Sequence, residues 1–226
     1  MQAIFDVGAN DGEWTIQSAM HNPGIKHYAF EPHPGLCEKI RDRAKGLKNV
    51  EVVQVAVSDV PGKMTFHLSE QGDYGCSSLL DFKPSAELDE LWYSHTTRDH
   101  TGNIEVDVIR MDEFINVHGI SVVEYFHCDV QGLDLSVIRS FGDEIGKLLA
   151  GVAETALTKR HAIYSNQKDT LAEMLTWLTS NGFDVVRIDP NDPWMNEWNV
   201  QFCKSSRTIV VEGIEHKIQV GTIGGY

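Results

Sequence analysis

The feature that most constrains this chain is the succession of strand, glycine turn, helix, strand and terminal acid within its first 31 residues. Ala3 to Val7 is a short apolar run that leads into Gly8-Ala9-Asn10-Asp11-Gly12, and a helix is expected from about Glu13. His27 to Glu31 is the next strand, and it stops at Pro32. Pro34 suits the first turn of a second helix, whose Leu36, Ile40, Ala44 and Leu47 recur at helical spacing. Val50 to Val55 is β-branched and gives a third strand. Strands that alternate with helices this closely become parallel neighbours through right-handed crossovers, so the fold class is α/β: Rossmann-like, a mostly parallel sheet with helices on both faces.

Further on the pattern changes. Met64, Phe66 and Leu68 alternate with polar residues, as do Ile104, Val106 and Val108, which predicts two half-buried antiparallel strands added near a sheet edge. Between them, Ser69 to Asn103 is turn-rich and carries Trp92, Tyr93, His95 and His100, with a short helix expected over Ala86–Tyr93; a long connection of this kind reads as a lid or acceptor-recognition region. Alternation then resumes with strands at Val122–Cys128, Leu148–Glu154, Asp184–Ile188 and Val200–Cys203, and with helices carrying Leu133, Val137, Ile138 and Phe141, then Leu171, Met174, Leu175 and Leu178. Ile209–Val211 and Ile218–Val220 around Gly213 suggest a terminal hairpin. The expected organisation is one domain over residues 1–204, with a β insertion at about 63–110 and a hairpin extension at 205–226.

Charge narrows the partners. With 19 basic against 33 acidic residues the net charge is −14, a surface that repels nucleic acid and anionic membranes. Cys37, Cys76, Cys128 and Cys203 are scattered without a Cys-x-x-Cys pair, which disfavours a zinc-thiolate site and suits a reducing compartment. No signal peptide or membrane-length apolar stretch is read in the sequence, so a cytoplasmic location is expected.

In an open parallel sheet, ligands bind beyond the carboxyl ends of the strands. Glu31 ends the second strand 19 positions after Gly12, where a carboxylate can accept both hydroxyls of an adenosine ribose. A dinucleotide wants Gly-x-Gly-x-x-Gly for its pyrophosphate, whereas this turn holds Asn10 and Asp11 and follows Asp6. Carboxylates beside a pyrophosphate cost on the order of 4 kcal/mol at an effective dielectric of 20. The same acids suit S-adenosylmethionine, which carries an ammonium and a sulfonium and no phosphate.

The runs Asp6-Val7-Gly8-Ala9-Asn10-Asp11-Gly12, Phe30-Glu31-Pro32-His33-Pro34, Ala56-Val57-Ser58-Asp59, Ser77-Ser78-Leu79 and Asp129-Val130-Gln131-Gly132 together resemble the FkbM-type S-adenosylmethionine-dependent methyltransferases, in that family's order over roughly residues 3–204. The resemblance implies a seven-stranded class I methyltransferase sheet whose last strand is antiparallel, and O-methylation of a hydroxyl on a sugar or a polyketide-like natural product. It implies that Asp6, Gly8, Asn10 and Gly12 line the methionine part of the cofactor, that Glu31 holds the ribose, and that Ser58 and Asp59 lie along the adenine. Ala9, Asp11, Pro32 and Asp129 complete the expected cofactor-binding set. Gln131 stands where the family often has Glu, and the tail beyond Ser205 lies outside the pattern.

Methyl transfer to a hydroxyl needs positioning and a proton acceptor. Asp129 follows the fourth strand, His127 lies two residues earlier on the same face, and Glu154 ends the fifth, so the catalytic candidates are Asp129, His127 and Glu154. Structural alternatives stand beside them: a helix cap for Asp129 and a hydrogen-bonded core histidine for His127. Asp129 and Glu154 are also oxygen ligands of the sort Mg²⁺ takes, but two carboxylates do not make a cage, and no metal ligand is assigned. His33 reads as the cap of the helix at Pro34. Loops with Lys159-Arg160-His161 and Tyr164, and with Trp194, Met195 and Trp198, are candidate walls for a sugar or planar acceptor. The rival functions are an NAD-dependent oxidoreductase and a cofactor-binding scaffold without turnover.

Overall fold

The computed structural model describes residues 1–69, 74–84, 100–191, 193–205, 207–211 and 214–218. In chain order its elements are β1 (Gln2–Val7), α1 (Glu13–His21), β2 (Lys26–Phe30), α2 (Pro34–Arg43), β3 (Val50–Val53), β4 (Ala56–Val57), β5 (Gly62–Leu68), β6 (Gly102–Ile109), α3 (Met111–Val117), β7 (Val122–Cys128), α4 (Asp134–Arg139), β8 (Ala150–Ala156), α5 (Leu171–Ser180), β9 (Phe183–Pro190), β10 (Glu197–Lys204), β11 (Arg207–Val211) and β12 (Ile214–Ile218). The main sheet runs β3-β2-β1-β7-β8-β10-β9. Its first five strands are mutually parallel, and β10 is antiparallel to both β8 and β9.

The centre of this sheet is buried on both faces, which explains why β1 and β2 read as apolar runs rather than alternations. Phe5 meets Phe30 edge-to-face at 5.4 Å, Phe30 meets Phe114 of α3 at 4.9 Å, and Phe126 of β7 meets Phe141 at 5.5 Å. Such pairs contribute about 0.5–1.5 kcal/mol each beyond the area they bury. Leu178 and Met174 of α5 and Leu135, Val137 and Ile138 of α4 belong to the same core. His33 caps α2, its Nδ1 accepting from Leu36 N at 3.2 Å, with Pro34 in the first turn.

Three expectations are corrected. The pair β5–β6 is antiparallel as patterned, but it does not extend the main sheet; with β4 it forms a separate sheet in the order β4-β6-β5. Ala56, Phe66, Leu68, Val106 and Val108 give that sheet its own core, so its wet-and-dry alternation needs no place at the main edge. The strand at Leu148–Glu154 instead spans Ala150–Ala156, because β10 pairs along it as far as Ala156, and Glu154 therefore sits inside the strand. Tyr164, expected in a loop that walls the acceptor, is instead fully buried.

The expected helix at Ala86–Tyr93 lies outside the described residues, as do Trp92, Tyr93 and His95. In the tail, β11 and β12 pair antiparallel as a hairpin. Cys37, Cys76, Cys128 and Cys203 form no disulfide, and among the described residues no helix is long and apolar enough to cross a membrane.

Where β1 meets β7, backbone approaches backbone. Asp129 N donates to Val7 O at 3.0 Å, and Gly8 N and Ala9 N both donate to Phe30 O. Gly8 has φ +81°, and a Cβ there would stand 1.9 Å from the Asp129 carbonyl oxygen. Only glycine fits. Gly8→Ala is therefore expected to lower unfolding free energy by at least about 2 kcal/mol in urea titrations. Gly24→Ala, where nothing lies within 4 Å of an added Cβ, should change it by less than about 0.5 kcal/mol.

Candidate active site

A chain that runs outward from β1 to β3 and then returns to β7 leaves a crevice above the carboxyl ends of β1 and β7. A cavity opens there. Val7, Gly8 and Asn10 come from the first turn, Glu31 and Pro32 from the end of β2, and Asp129, Val130, Gln131 and Leu133 from the turn after β7. Val55, Ala56, Val57 and Phe66 make an apolar wall, and Gly75, Ser77 and Leu79 close it from the insertion.

Glu31 is held by two backbone donors: Asn10 N reaches Oε2 at 2.9 Å and His33 N reaches Oε1 at 2.8 Å. Burial raises its pKa to about 7, against the lowering effect of those two amides. Asn10 reaches its position with φ +50°, a left-handed conformation that asparagine tolerates better than most residues. The strand-end acid and the glycine turn are thus one hydrogen-bonded unit.

Across the cavity, Gln131 (φ +58°) donates from Nε2 to Asp129 Oδ1 at 2.6 Å. Its Oε1 accepts from Tyr164 OH at 2.7 Å, and its carbonyl accepts from Ser78 Oγ at 2.7 Å. The same Tyr164 hydroxyl, with one proton to give, also lies 3.0 Å from Cys76 O, so the two acceptors share it. An amide at 131 gives Asp129 a donor where a glutamate would give it a second negative charge.

Gly8, Asn10, Glu31, Pro32 and Asp129 of the expected set line this cavity, and the others do not. Ala9 packs under the turn against Ala29 and Ile40, and Gly12 (φ +78°) sits over Ile40 at the start of α1. Asp11 pairs with Lys39 and Arg43 at the surface. Ser58 hydrogen-bonds Asp59, whose carbonyl accepts from Arg110 at 2.7 Å. Asp6 is buried beneath the turn, where it accepts from Thr15 and hydrogen-bonds Nδ1 of His127 at 2.9 Å.

His127 therefore faces Asp6, not the cavity, with its ring stacked on Trp14 at 4.6 Å. Burial disfavours its charged form, but the hydrogen bond and charge of Asp6 outweigh this and raise its pKa. Glu154 also lies off the cavity wall. It accepts from Asn191 Nδ2 and hydrogen-bonds Glu197, and burial together with the charge of Glu197 raises its pKa well above the usual range.

Sequence reasoning missed Asp134. Fully buried, it accepts from Glu154 N at 3.0 Å and Val130 N at 3.4 Å, and burial holds its pKa well up. An acid in the first turn after Gly132 was the available signal. Glu197 and Asn191 carried no such signal, because only the antiparallel placement of β10 brings them to Glu154.

Residues 6–185 match the methyltransferase FkbM domain family. The chain is 30% identical over 171 residues to the 2-O-methyltransferase NoeI of Sinorhizobium fredii, an alignment covering 74% of this chain and 63% of NoeI, so it spans under two thirds of that relative. It is 28% identical over 211 residues to the 31-O-demethyl-FK506 methyltransferase FkbM of Streptomyces tacrolimicus, covering 81% of this chain and 73% of that one. The crystal structure of methyltransferase FkbM from Methylobacillus flagellatus KT shares the fold, with a TM-score of 0.52 at 12% identity over 89% of this chain and 44% of the other. With the glycine turn, the buried acid after β2 and the sheet order all in place, the chain belongs to the FkbM family of S-adenosylmethionine-dependent methyltransferases.

Proposed function

We propose that the chain transfers a methyl group from S-adenosylmethionine to a hydroxyl of a small sugar-like or natural-product-like acceptor, with Asp129 taking the hydroxyl proton. The observation that carries this reading is a single cavity with Glu31 at one side and the Gln131-bound Asp129 at the other, joined by the Gly8 turn. Both relatives bear names of O-methyltransferases, which supports a hydroxyl acceptor.

The bound cofactor supplies an electrophilic methyl on sulfur. The chain's own part begins at Glu31, whose carboxylate accepts the ribose hydroxyls while the Asn10 and His33 amides keep it oriented. The apolar wall of Val55, Val57 and Phe66 suits an adenine face. Asp129 holds its carboxylate at the mouth beyond β7, oriented by the Gln131 amide so that it can accept a proton from an incoming hydroxyl. His127 and Asp6 act beneath the turn as positioning residues, bracing α1 against β7 through Thr15 and Trp14. The exposed Trp194 and Met195 offer apolar contact to an acceptor. Two carboxylates at the wall also disfavour a pyrophosphate, and with it the NAD reading.

The raised pKa of Glu31 gives a pH signature. In the unfolded chain it ionises near 4.5 and in the free folded protein near 7, so its ionisation costs the fold stability as pH rises between those values. Ribose hydroxyls donate to the ionised form, so binding improves over the same range. S-adenosylhomocysteine should bind about tenfold more weakly at pH 6 than at pH 8 by calorimetry, with net proton release at pH 6. Glu31→Gln should bind weakly and without this pH dependence; an unchanged profile in that variant removes Glu31 from the binding site.

Asp129→Asn keeps the shape of the wall and removes the base. Binding of the methyl donor should stay within a few-fold while turnover falls by about 10²-fold or more. Activity should not require added Mg²⁺. Full turnover by the variant overturns the role of Asp129, and loss with EDTA that Mg²⁺ restores reassigns it as a metal ligand.

A further inference from the structure

The insertion carries a second constellation, apart from the cavity. His67 of β5, Asp81 and His100 place one donor atom each within 4.8 Å of one another. His100 Nδ1 lies 2.9 Å from Asp81 Oδ1, and the His67 and His100 rings stack at 5.0 Å. The His100 side chain is only 7% exposed, and besides Asp81 it has the Cys76 backbone as a hydrogen-bonding neighbour. The Cys76 carbonyl also accepts from Tyr164. Asp81 by contrast is exposed and keeps a carboxylate at the open side.

We propose that His67, Asp81 and His100 form a binding site for a divalent transition-metal ion, with Zn²⁺ the ion of choice. Two neutral imidazoles and one carboxylate are donors that suit Zn²⁺, and three protein ligands leave one position for water.

The surroundings give the site a purpose. His67 and Ser78 exchange both backbone hydrogen bonds, at 2.8 and 3.1 Å. Ser77 and Leu79 on either side of Ser78 line the cofactor cavity, and Ser78 Oγ holds the Gln131 carbonyl. Next to Asp81, Phe82 stacks between His100 at 4.1 Å and Tyr164 at 5.2 Å, and Tyr164 holds Gln131. A metal on these three ligands pins the segment 77–82 to β5 and so fixes the wall that positions Gln131 and Asp129. The ion is a clamp outside the cavity and takes no part in the reaction.

The test uses the full chain, freed of metal by chelator and dialysis, then titrated with Zn²⁺ alone by calorimetry and with Co²⁺ followed by its visible absorption. One equivalent should bind, and Co²⁺ should show the intense bands of a low-coordinate site. His67→Gln, Asp81→Asn and His100→Gln should each weaken binding at least tenfold. If burial makes His100→Gln fail to fold, the half-exposed His67 and exposed Asp81 variants decide, with circular dichroism as the check on folding. No stoichiometric binding by the wild-type chain, or equal binding by folded His67→Gln and Asp81→Asn, overturns the proposal.

Discussion

The structure depends on one close contact of backbone with backbone, between the turn after β1 and the turn after β7. Gly8 lies against the Asp129 carbonyl, and Asp129 N donates to Val7 O. From this contact the site follows in both directions. On one side, the turn lifts Asn10 N to Glu31 and fixes the acid that ends β2. On the other, it fixes where the chain leaves β7, and so where Asp129 and Gln131 stand. A side chain at position 8 separates the two strand ends and dismantles both halves. The requirement for glycine comes from this contact as much as from the left-handed φ.

Managing negative charge is the second constraint. Asp6, Glu31, Asp129, Asp134 and Glu154 all lie at or near the carboxyl ends of four adjacent strands, β2, β1, β7 and β8. The chain handles them differently. Asp6 is hydrogen-bonded by Thr15 and His127, whereas burial favours the protonated forms of Asp134 and Glu154. Glu31 is poised near neutrality, and Asp129 receives the amide of Gln131. Two acids, Glu31 and Asp129, are thus left to face the cavity from its two sides. Gln131, a departure from the family pattern, keeps the second from facing another carboxylate.

Much of this was legible in the sequence because it is written locally. The glycine turn, the strand-end acid and the helix capped by His33 each lie within a dozen residues, and apolar runs marked the doubly buried strands. What was not legible depends on long-range pairing. Nothing near Met64–Leu68 says that its sheet is separate, since a half-wet strand looks the same at a main edge and in a small sheet with its own core. The length of β8, and the meeting of Glu154 with Glu197 and Asn191, depend on β10 inserting antiparallel. His127 and Tyr164 were placed near the chemistry by position along the chain. Their side chains turn instead toward Asp6 and toward Gln131, directions that only packing decides.

The central claim is that the cavity between Glu31 and Asp129 is the methyl-donor site, and a crystal structure of the chain with S-adenosylhomocysteine tests it most directly. The account predicts both ribose hydroxyls within about 3 Å of the Glu31 carboxylate, as charge-assisted hydrogen bonds require, with the homocysteine sulfur toward Asp129. A nucleoside bound elsewhere, or in this cavity with its ribose away from Glu31, contradicts it.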